Sequence, residues 1–198
     1  MLFYERKNNM KGRLYILTGP SGVGKTTVAK ELLAQRPSLK KVVTCTTRPP
    51  RDGEVDGVAY HFLDKQTIED LIAREEMFEW DVHYGGYYGS RNLDVEELLS
   101  SGSDVLFVVD VAGAKTIKEN NPEAVVIFLT AENEETLLNR IDKRDQGKTA
   151  NLDERKRALE DELAFGQTVE HKILNKTGAL DETIEAVGTL MDNLDANT

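Results

Sequence analysis

Gly19-Pro20-Ser21-Gly22-Val23-Gly24-Lys25-Thr26 is the stretch whose reading decides the fold. It fits the pattern G-x-x-x-x-G-K-[ST], and each position has a physical reason. The glycines let the loop take backbone angles that other residues resist, and let it approach an anion closely. Successive backbone N–H groups then form a nest for phosphate oxygens. A helix that begins where the loop ends turns its positive N-terminus toward the same oxygens. Lys25 is placed to reach the β- and γ-phosphates, and the hydroxyl of Thr26 to hold Mg²⁺. The flanks agree with this reading. Residues 13–18 are a short apolar run closed by glycine and read as a buried strand. Residues 26–35 carry Val28, Leu32 and Leu33 at helical spacing and stop before Pro37. A strand, this loop and then a helix is the context in which the motif holds the polyphosphate of a nucleoside triphosphate.

Outward from the loop, strands and helices alternate. Strands are expected over residues 41–46, 104–111, 123–129 and 171–175. Helices are expected over 66–76, 94–101, 134–144, 153–169 and 180–194. This alternation predicts an α/β fold with a parallel sheet covered by helices on both faces. Residues 40–93 interrupt it with short strands and with a loop, 48–57, rich in proline, glycine and charge. That stretch reads as an inserted substrate subdomain.

Composition narrows the partners. A length of 198 residues favours one compact domain. The net charge of −10 argues against nucleic acid and membrane surfaces as partners, so an anionic ligand must meet a local basic site. Cys45 is the one cysteine, which rules out a disulfide within the chain and any zinc spacing, and suits a reducing, cytoplasmic setting. No run approaches the ~20 apolar residues of a membrane span, and residues 1–9 lack the apolar core of a secretion signal. Met10 is an alternative start, with residues 1–10 as an N-terminal extension.

A phosphate loop does not name the reaction. Thr44-Cys45-Thr46-Thr47-Arg48-Pro49-Pro50-Arg51 sets two arginines three residues apart on a proline-stiffened loop. Two fixed guanidinium groups suit a phosphate dianion, and Tyr60 and Tyr88 offer phenolic donors further along; two solvated loop arginines are the plainer alternative. Asp110 follows the apolar run Val105-Leu106-Phe107-Val108-Val109, where an acid either sits near magnesium or is an ordinary polar strand end. Arg140 and Arg144 lie four apart on one predicted helical face, where like charges cost roughly a few tenths of a kcal/mol unless an anion sits between them.

Taken together, Arg48-Pro49-Pro50-Arg51-Asp52-Gly53-Glu54-Val55-Asp56-Gly57, then Tyr60-His61-Phe62, Phe78-Glu79-Trp80, Tyr87-Tyr88-Gly89-Ser90 and Asp110-Val111-Ala112-Gly113-Ala114, resemble guanylate kinases in order and nearly in spacing. With the phosphate loop, the resemblance covers residues 11–195. It implies a P-loop kinase fold with a parallel five-stranded core sheet. The core would be residues 11–39 and 94–195, with a GMP-binding insertion at about 40–93 and a short lid at about 140–157. It implies transfer of a phosphoryl group from ATP to GMP with Mg²⁺, by a monomer or homodimer. ATP would lie on Gly19, Pro20, Ser21, Gly22, Val23, Gly24, Lys25, Thr26 and Thr27, with magnesium held by Thr26 and, through water, by Asp110. Arg48, Arg51, Tyr60 and Tyr88 match the residues that hold the GMP phosphate. Thr44, Glu79 and Ser90 match those that read guanine. The catalytic charges would be Lys25, Arg48, Arg140, Arg144 and Arg155; Arg155 fits better than Arg157, because Glu162-Leu163-Ala164 then falls into register.

Chemistry supports the guanine assignment independently, since guanine presents N1–H and an amino group side by side and a carboxylate accepts from both. No general base is required when the attacking oxygen belongs to an anionic phosphate, so His61, His83 and His171 read as structural. Two positions depart from the family: Val108 stands where an acid is usual, and Ala112 where glutamine is usual. Two other readings therefore stay open. One is a related small kinase with a different phosphorylated acceptor. The other is a non-catalytic interaction module of the same family, although such modules tend to lose the phosphate loop and lid arginines that this chain keeps.

Overall fold

β1 (Leu14–Thr18) is the apolar run ahead of the phosphate loop, and Tyr15, Ile16, Leu17 and Thr18 are fully buried in it. Burial on both faces is what the middle strand of a parallel sheet requires. The structure is a computed structural model that describes residues 12–83, 85–144 and 152–196; for His83, Lys143, Arg144 and residues 152–156 it describes the backbone alone. The expected extension and both candidate starts, Met1 and Met10, lie outside the described residues, as does the middle of the expected lid.

The parallel sheet has five strands in the order β2-β7-β1-β8-β9, where β2 is Leu39–Lys41, β7 is Asp104–Val108, β8 is Val125–Thr130 and β9 is His171–Leu174. From β1 the chain crosses to one edge through α1 (Lys25–Gln35). From β7 it returns past β1 to β8 through α4 (Val111–Asn120). Crossovers that leave in opposite directions create the switch point at which open α/β sheets bind ligands, beyond the carboxyl ends of the strands. The loop that follows β1 stands there.

The chain divides into two compact units. The first comprises residues through Tyr15, Ser38–Phe107 and Lys115–Val125. It contains a second sheet of four strands in the order β4-β3-β6-β5, with β3 at Cys45–Thr46, β4 at His61–Phe62, β5 at Met77–His83 and β6 at Gly86–Arg91. This sheet lies within the stretch 40–93 that the sequence sets apart, while β2 and β7 group with it in the same unit. The single strand expected over 41–46 is divided. β2 pairs with β7, and the Val42 N–H still reaches the Leu106 carbonyl at 3.0 Å. Cys45 and Thr46 instead pair with β4 and β6. A β-branched run favours extended backbone but says nothing of which neighbour it pairs with. Phe78 of β5 stacks on Phe107 of β7, ring centroids 5.3 Å apart.

Two helices complete this part of the first unit. α2 (Lys65–Ala73) starts on Asp64, whose carboxylate accepts from the Thr67 N–H at 2.8 Å and its hydroxyl at 2.7 Å. It ends three residues before the expected position, because Glu75 takes a left-handed φ of 55°. α3 (Asn92–Ser100) follows β6 directly and buries Val95 and Leu99.

The second unit comprises Ile16–Pro37, Val108–Ala114 and the chain from Val126 onward. It holds α1, α5 (Glu134–Arg144), α6 (Leu152–Thr168) and α7 (Leu180–Ala196). α7 buries Ile184, Val187 and Met191, and the Arg36 guanidinium at the end of α1 donates to the Gly188 carbonyl at 2.8 Å and pairs with Asp192. Strand β7 stops at Val108, short of the expected residue 111. The reason is Asp110: its carboxylate accepts the Gly113 N–H at 2.9 Å and its carbonyl accepts the Ala114 N–H at 3.0 Å, so the chain has already turned into α4. Among the described residues no helix is long and apolar enough to cross a membrane.

Candidate active site

The phosphate loop is held from below at several points. Gly19 has φ +143°, and a Cβ there would lie 2.4 Å from the Leu129 carbonyl oxygen, so no other residue fits. Gly24 has φ +101° and caps α1; a Cβ there would meet the Asn175 side-chain nitrogen at 2.5 Å. That approach is used. Asn175 Nδ2 donates to the Val23 carbonyl at 2.7 Å, and the Thr183 hydroxyl donates to Asn175 Oδ1 at 3.1 Å. Val23, Asn175 and Thr183 are all buried.

Charged groups gather on the same loop. The Lys25 ammonium donates to the Gly19 and Pro20 carbonyls at 2.6 and 3.2 Å, lying over the loop it serves. Arg140 donates to the Val23 carbonyl at 3.3 Å and to the Thr177 hydroxyl at 2.9 Å. Thr177 in turn gives its backbone N–H to Glu132 at 2.6 Å, which holds the Glu132 carboxyl below its ordinary range. The Ser21 N–H meets a carboxylate, Glu162 Oε2, at 3.3 Å, the kind of partner an anion nest accepts. Thr26 and Thr27 are exposed in the first turn of α1.

A cavity of about 480 Å³ opens beside the loop, bounded by loop residues, Arg140 and the segment from Asn175 to Gly178. This volume falls in the range of small-ligand sites. Arg140 is thus brought to the loop, and Asp110 belongs to the same unit. Arg144 and Arg155 stand on α5 and α6, but their side chains lie outside the described residues.

The sequence reading missed Asn175, Thr177, Thr183 and Glu162. Asn175 had a usable signal. It immediately follows a strand of a parallel sheet, at the end where ligands gather.

The residues expected to hold the second nucleotide all belong to the first unit. Glu79 and Ser90 are directly opposite in the β5–β6 pairing, and the Ser90 hydroxyl donates to Glu79 Oε1 at 2.8 Å. Glu79 is only 5% exposed, and Ser90 is fully buried. Thr44 is buried, and its carbonyl accepts the His61 N–H at 2.8 Å.

The Arg48 guanidinium lies 4.9 Å from the Tyr60 ring centroid and 5.7 Å from that of Phe62, and Tyr60 meets Tyr88 edge to face at 6.3 Å. Arg48, Tyr60 and Tyr88 therefore form one cluster. Burial raises the Tyr60 hydroxyl above its ordinary pKa, with Arg48 pulling the other way. Arg51 is exposed, and its backbone N–H is tied to Glu54 at 2.7 Å. Glu54 stood in the quoted motif without an assigned role; its carboxylate pairs with Arg48 through two bonds of 2.6 Å, which raises the Arg48 pKa and lowers that of Glu54.

Arg91 forks onto Asp94 with two 2.7 Å bonds and lies 3.2 Å from His61 Nε2. The Cys45 thiol is buried, and burial pushes its pKa up to about 11. The two positions that depart from the family are placed plainly: Val108 is the half-buried last residue of β7, and Ala112 lies in the first turn of α4.

A parallel α/β sheet with this loop at its switch point defines a P-loop kinase. The guanylate kinase family model matches residues 11–194. The chain is 40% identical to the guanylate kinase of Symbiobacterium thermophilum over 168 residues, 85% of this chain and 80% of that one. It is 37% identical to the guanylate kinase of Gloeobacter violaceus over 191 residues, 93% of each. The crystal structure of guanylate kinase from Anaplasma phagocytophilum matches with a TM-score of 0.75 at 25% identity, covering 93% of this chain and 86% of that one. The chain belongs to the guanylate kinase family.

Proposed function

We propose that this chain transfers the γ-phosphoryl group of ATP to a phosphate oxygen of GMP, giving ADP and GDP. One observation carries the acceptor's identity: Glu79, a buried carboxylate, stands beside Ser90 in the unit that also holds the Arg48–Tyr60–Tyr88 cluster. A buried carboxylate needs donors. The N1–H and amino group of guanine are a matched pair for it, whereas adenine turns an N1 lone pair toward the same place.

The chemistry asks for positioning and charge rather than a base, because the attacking phosphate oxygen is already anionic. In this reading the loop N–H groups and Lys25 bind the β- and γ-phosphates. Arg48, Arg51, Tyr60 and Tyr88 hold the acceptor phosphate, while Thr44, Glu79 and Ser90 orient the base. Arg140, Arg144 and Arg155 supply positive charge to the transferring group from the lid region, about 140–157. The insertion, about 40–93, is the acceptor subdomain. The Thr26 hydroxyl and the Asp110 carboxylate are hard oxygen donors of the kind Mg²⁺ takes, Asp110 through water. When bound with ATP, Mg²⁺ neutralises phosphate charge. A cytoplasmic setting, no nucleic-acid or membrane partner, and a monomer or homodimer belong to the same reading.

A substrate panel tests it. With ATP and Mg²⁺, GMP, dGMP, IMP and AMP are offered side by side. The expectation is a GMP preference over AMP of about 10² or more in kcat/KM. Val108 makes this comparison informative, and equal or better turnover of AMP sinks the assignment. Lys25→Ala should lower kcat by about 10²–10³, the scale of losing one preorganised donor to developing charge. A wild-type turnover that survives this change would belong to a contaminant or to another mechanism.

A further inference from the structure

Within the acceptor-side cluster, Glu54 is a negative charge where a phosphate dianion is to bind. Its Oε1 accepts from Arg48 Nη2 and its Oε2 from Arg48 Nη1, both at 2.6 Å. Oε2 also accepts the Arg51 backbone N–H at 2.7 Å, and the Glu54 N–H donates back to the Arg51 carbonyl at 3.0 Å, closing a turn through Asp52 and Gly53. Such a carboxylate is either an occupant that the incoming phosphate must evict or a brace that stays.

The bond pattern separates these roles. Eviction would break three charge-assisted bonds at once, the strong class of hydrogen bond. It would also strand a carboxylate whose side chain is only 22% exposed. A brace keeps all three. Arginine has five N–H donors. Glu54 takes one from each terminal nitrogen, and the Pro49 carbonyl takes the other from Nη1 at 2.9 Å. The Nε–H and the second Nη2–H are taken by neither, and they form the parallel side edge of the guanidinium that fits two phosphate oxygens. The rings of Tyr60 and Phe62 fix the plane of that edge.

We propose that Glu54 is a positioning residue for the acceptor phosphate. It holds the Arg48 fork and the Arg51 backbone in one pose, so that the phosphate meets a preformed site rather than a loop it must order. This rests on the reading of the acceptor as GMP.

The test uses Glu54→Gln, nearly isosteric but uncharged, and Glu54→Asp, which keeps the charge on a shorter arm. Kinetics are measured with GMP and ATP varied separately. Binding of GMP and of guanosine is followed by the fluorescence of Trp80, the only tryptophan, next to Glu79 in sequence. Glu54→Gln should raise KM and Kd for GMP by about tenfold or more, leave KM for ATP within about twofold, and lower kcat less than it raises KM. Guanosine, which lacks the phosphate, should bind both proteins equally, and Glu54→Asp should fall between. Unchanged or tighter GMP binding in Glu54→Gln overturns the brace. So does an equal weakening of GMP and guanosine, which would report a damaged subdomain. Wild-type protein that phosphorylates no GMP removes the functional reading and this inference together. An active wild type matched by Glu54→Gln removes this inference alone.

Discussion

Glu79 shows how much of this site rests on single atoms. It sits in a strand, opposite a serine that gives it one hydrogen bond, and it is 5% exposed. In the proposed site, replacing it with glutamine would exchange one acceptor oxygen for a donor NH₂ turned toward the N–H edge of guanine. We expect Glu79→Gln to lower kcat/KM for GMP by about 10²-fold or more, because a buried polar site left mispaired discriminates strongly. KM for ATP should stay near the wild-type value, and steady-state kinetics with each substrate varied will show both. That the candidate residues of this half share one unit was legible, because they fall in order in a series of short motifs between Thr44 and Ser90. Glu54 was legible as a letter of one of those motifs but not as a contact. Its role appears only when its two oxygens are seen to meet Arg48 and Arg51 together.

Among the elements, α2 ends in an instructive way. The Glu76 N–H reaches the Leu71 carbonyl at 2.9 Å and the Glu75 N–H reaches Ile72 at 3.0 Å, the paired bonds of a Schellman motif. Its left-handed position is usually glycine, yet here Glu75 holds φ 55°. An L-residue with a side chain pays steric strain in that region, so Glu75→Gly should stabilise the protein by about 1 kcal/mol, read from the denaturation midpoint at unchanged m-value. The same helix shows the limits of pattern reading. Periodicity gave its apolar face and its start within a residue or so, but its end is set by a backbone angle that glutamate does not announce. The divided strand at 41–46 and the cap on Asp110 are similar cases, in which a pairing partner or a turn decides a boundary that composition leaves open. The phosphate loop was readable because everything it needs locally lies in eight consecutive residues. Its support by Asn175 was not, since 152 positions separate that side chain from the carbonyl it holds.

At the scale of the whole molecule, Glu54 links the acceptor cluster to global stability. Arg48 holds the Glu54 carboxyl below its ordinary range. The folded chain therefore binds that proton less tightly than the unfolded chain. The stabilisation is fully present above the unfolded value of about 4.3 and is lost as pH falls through the lower folded value. Wild type should thus be more stable than Glu54→Gln at neutral pH, with the gap closing progressively below about pH 4. Urea denaturation of both proteins at stepped pH measures this directly, and a gap that widens on acidification would contradict the sign. The α/β class and its parallel sheet were readable from alternation and the loop; the count of five strands came with the family resemblance, and the strand order was not read from sequence. How the chain groups into two units was less so, because β2 and β7 join residues that the sequence assigns to the insertion.

The tie between Asn175 and Val23, with Thr183 behind it, also sets a schedule for synthesis on the ribosome. The phosphate loop is made well before its support. The side chain that holds its central carbonyl follows 152 positions later, and the hydroxyl that orients that side chain later still. A nascent chain can carry the whole glycine-rich motif and still lack the buttress behind it, which comes only once Asn175 and Thr183 have been made.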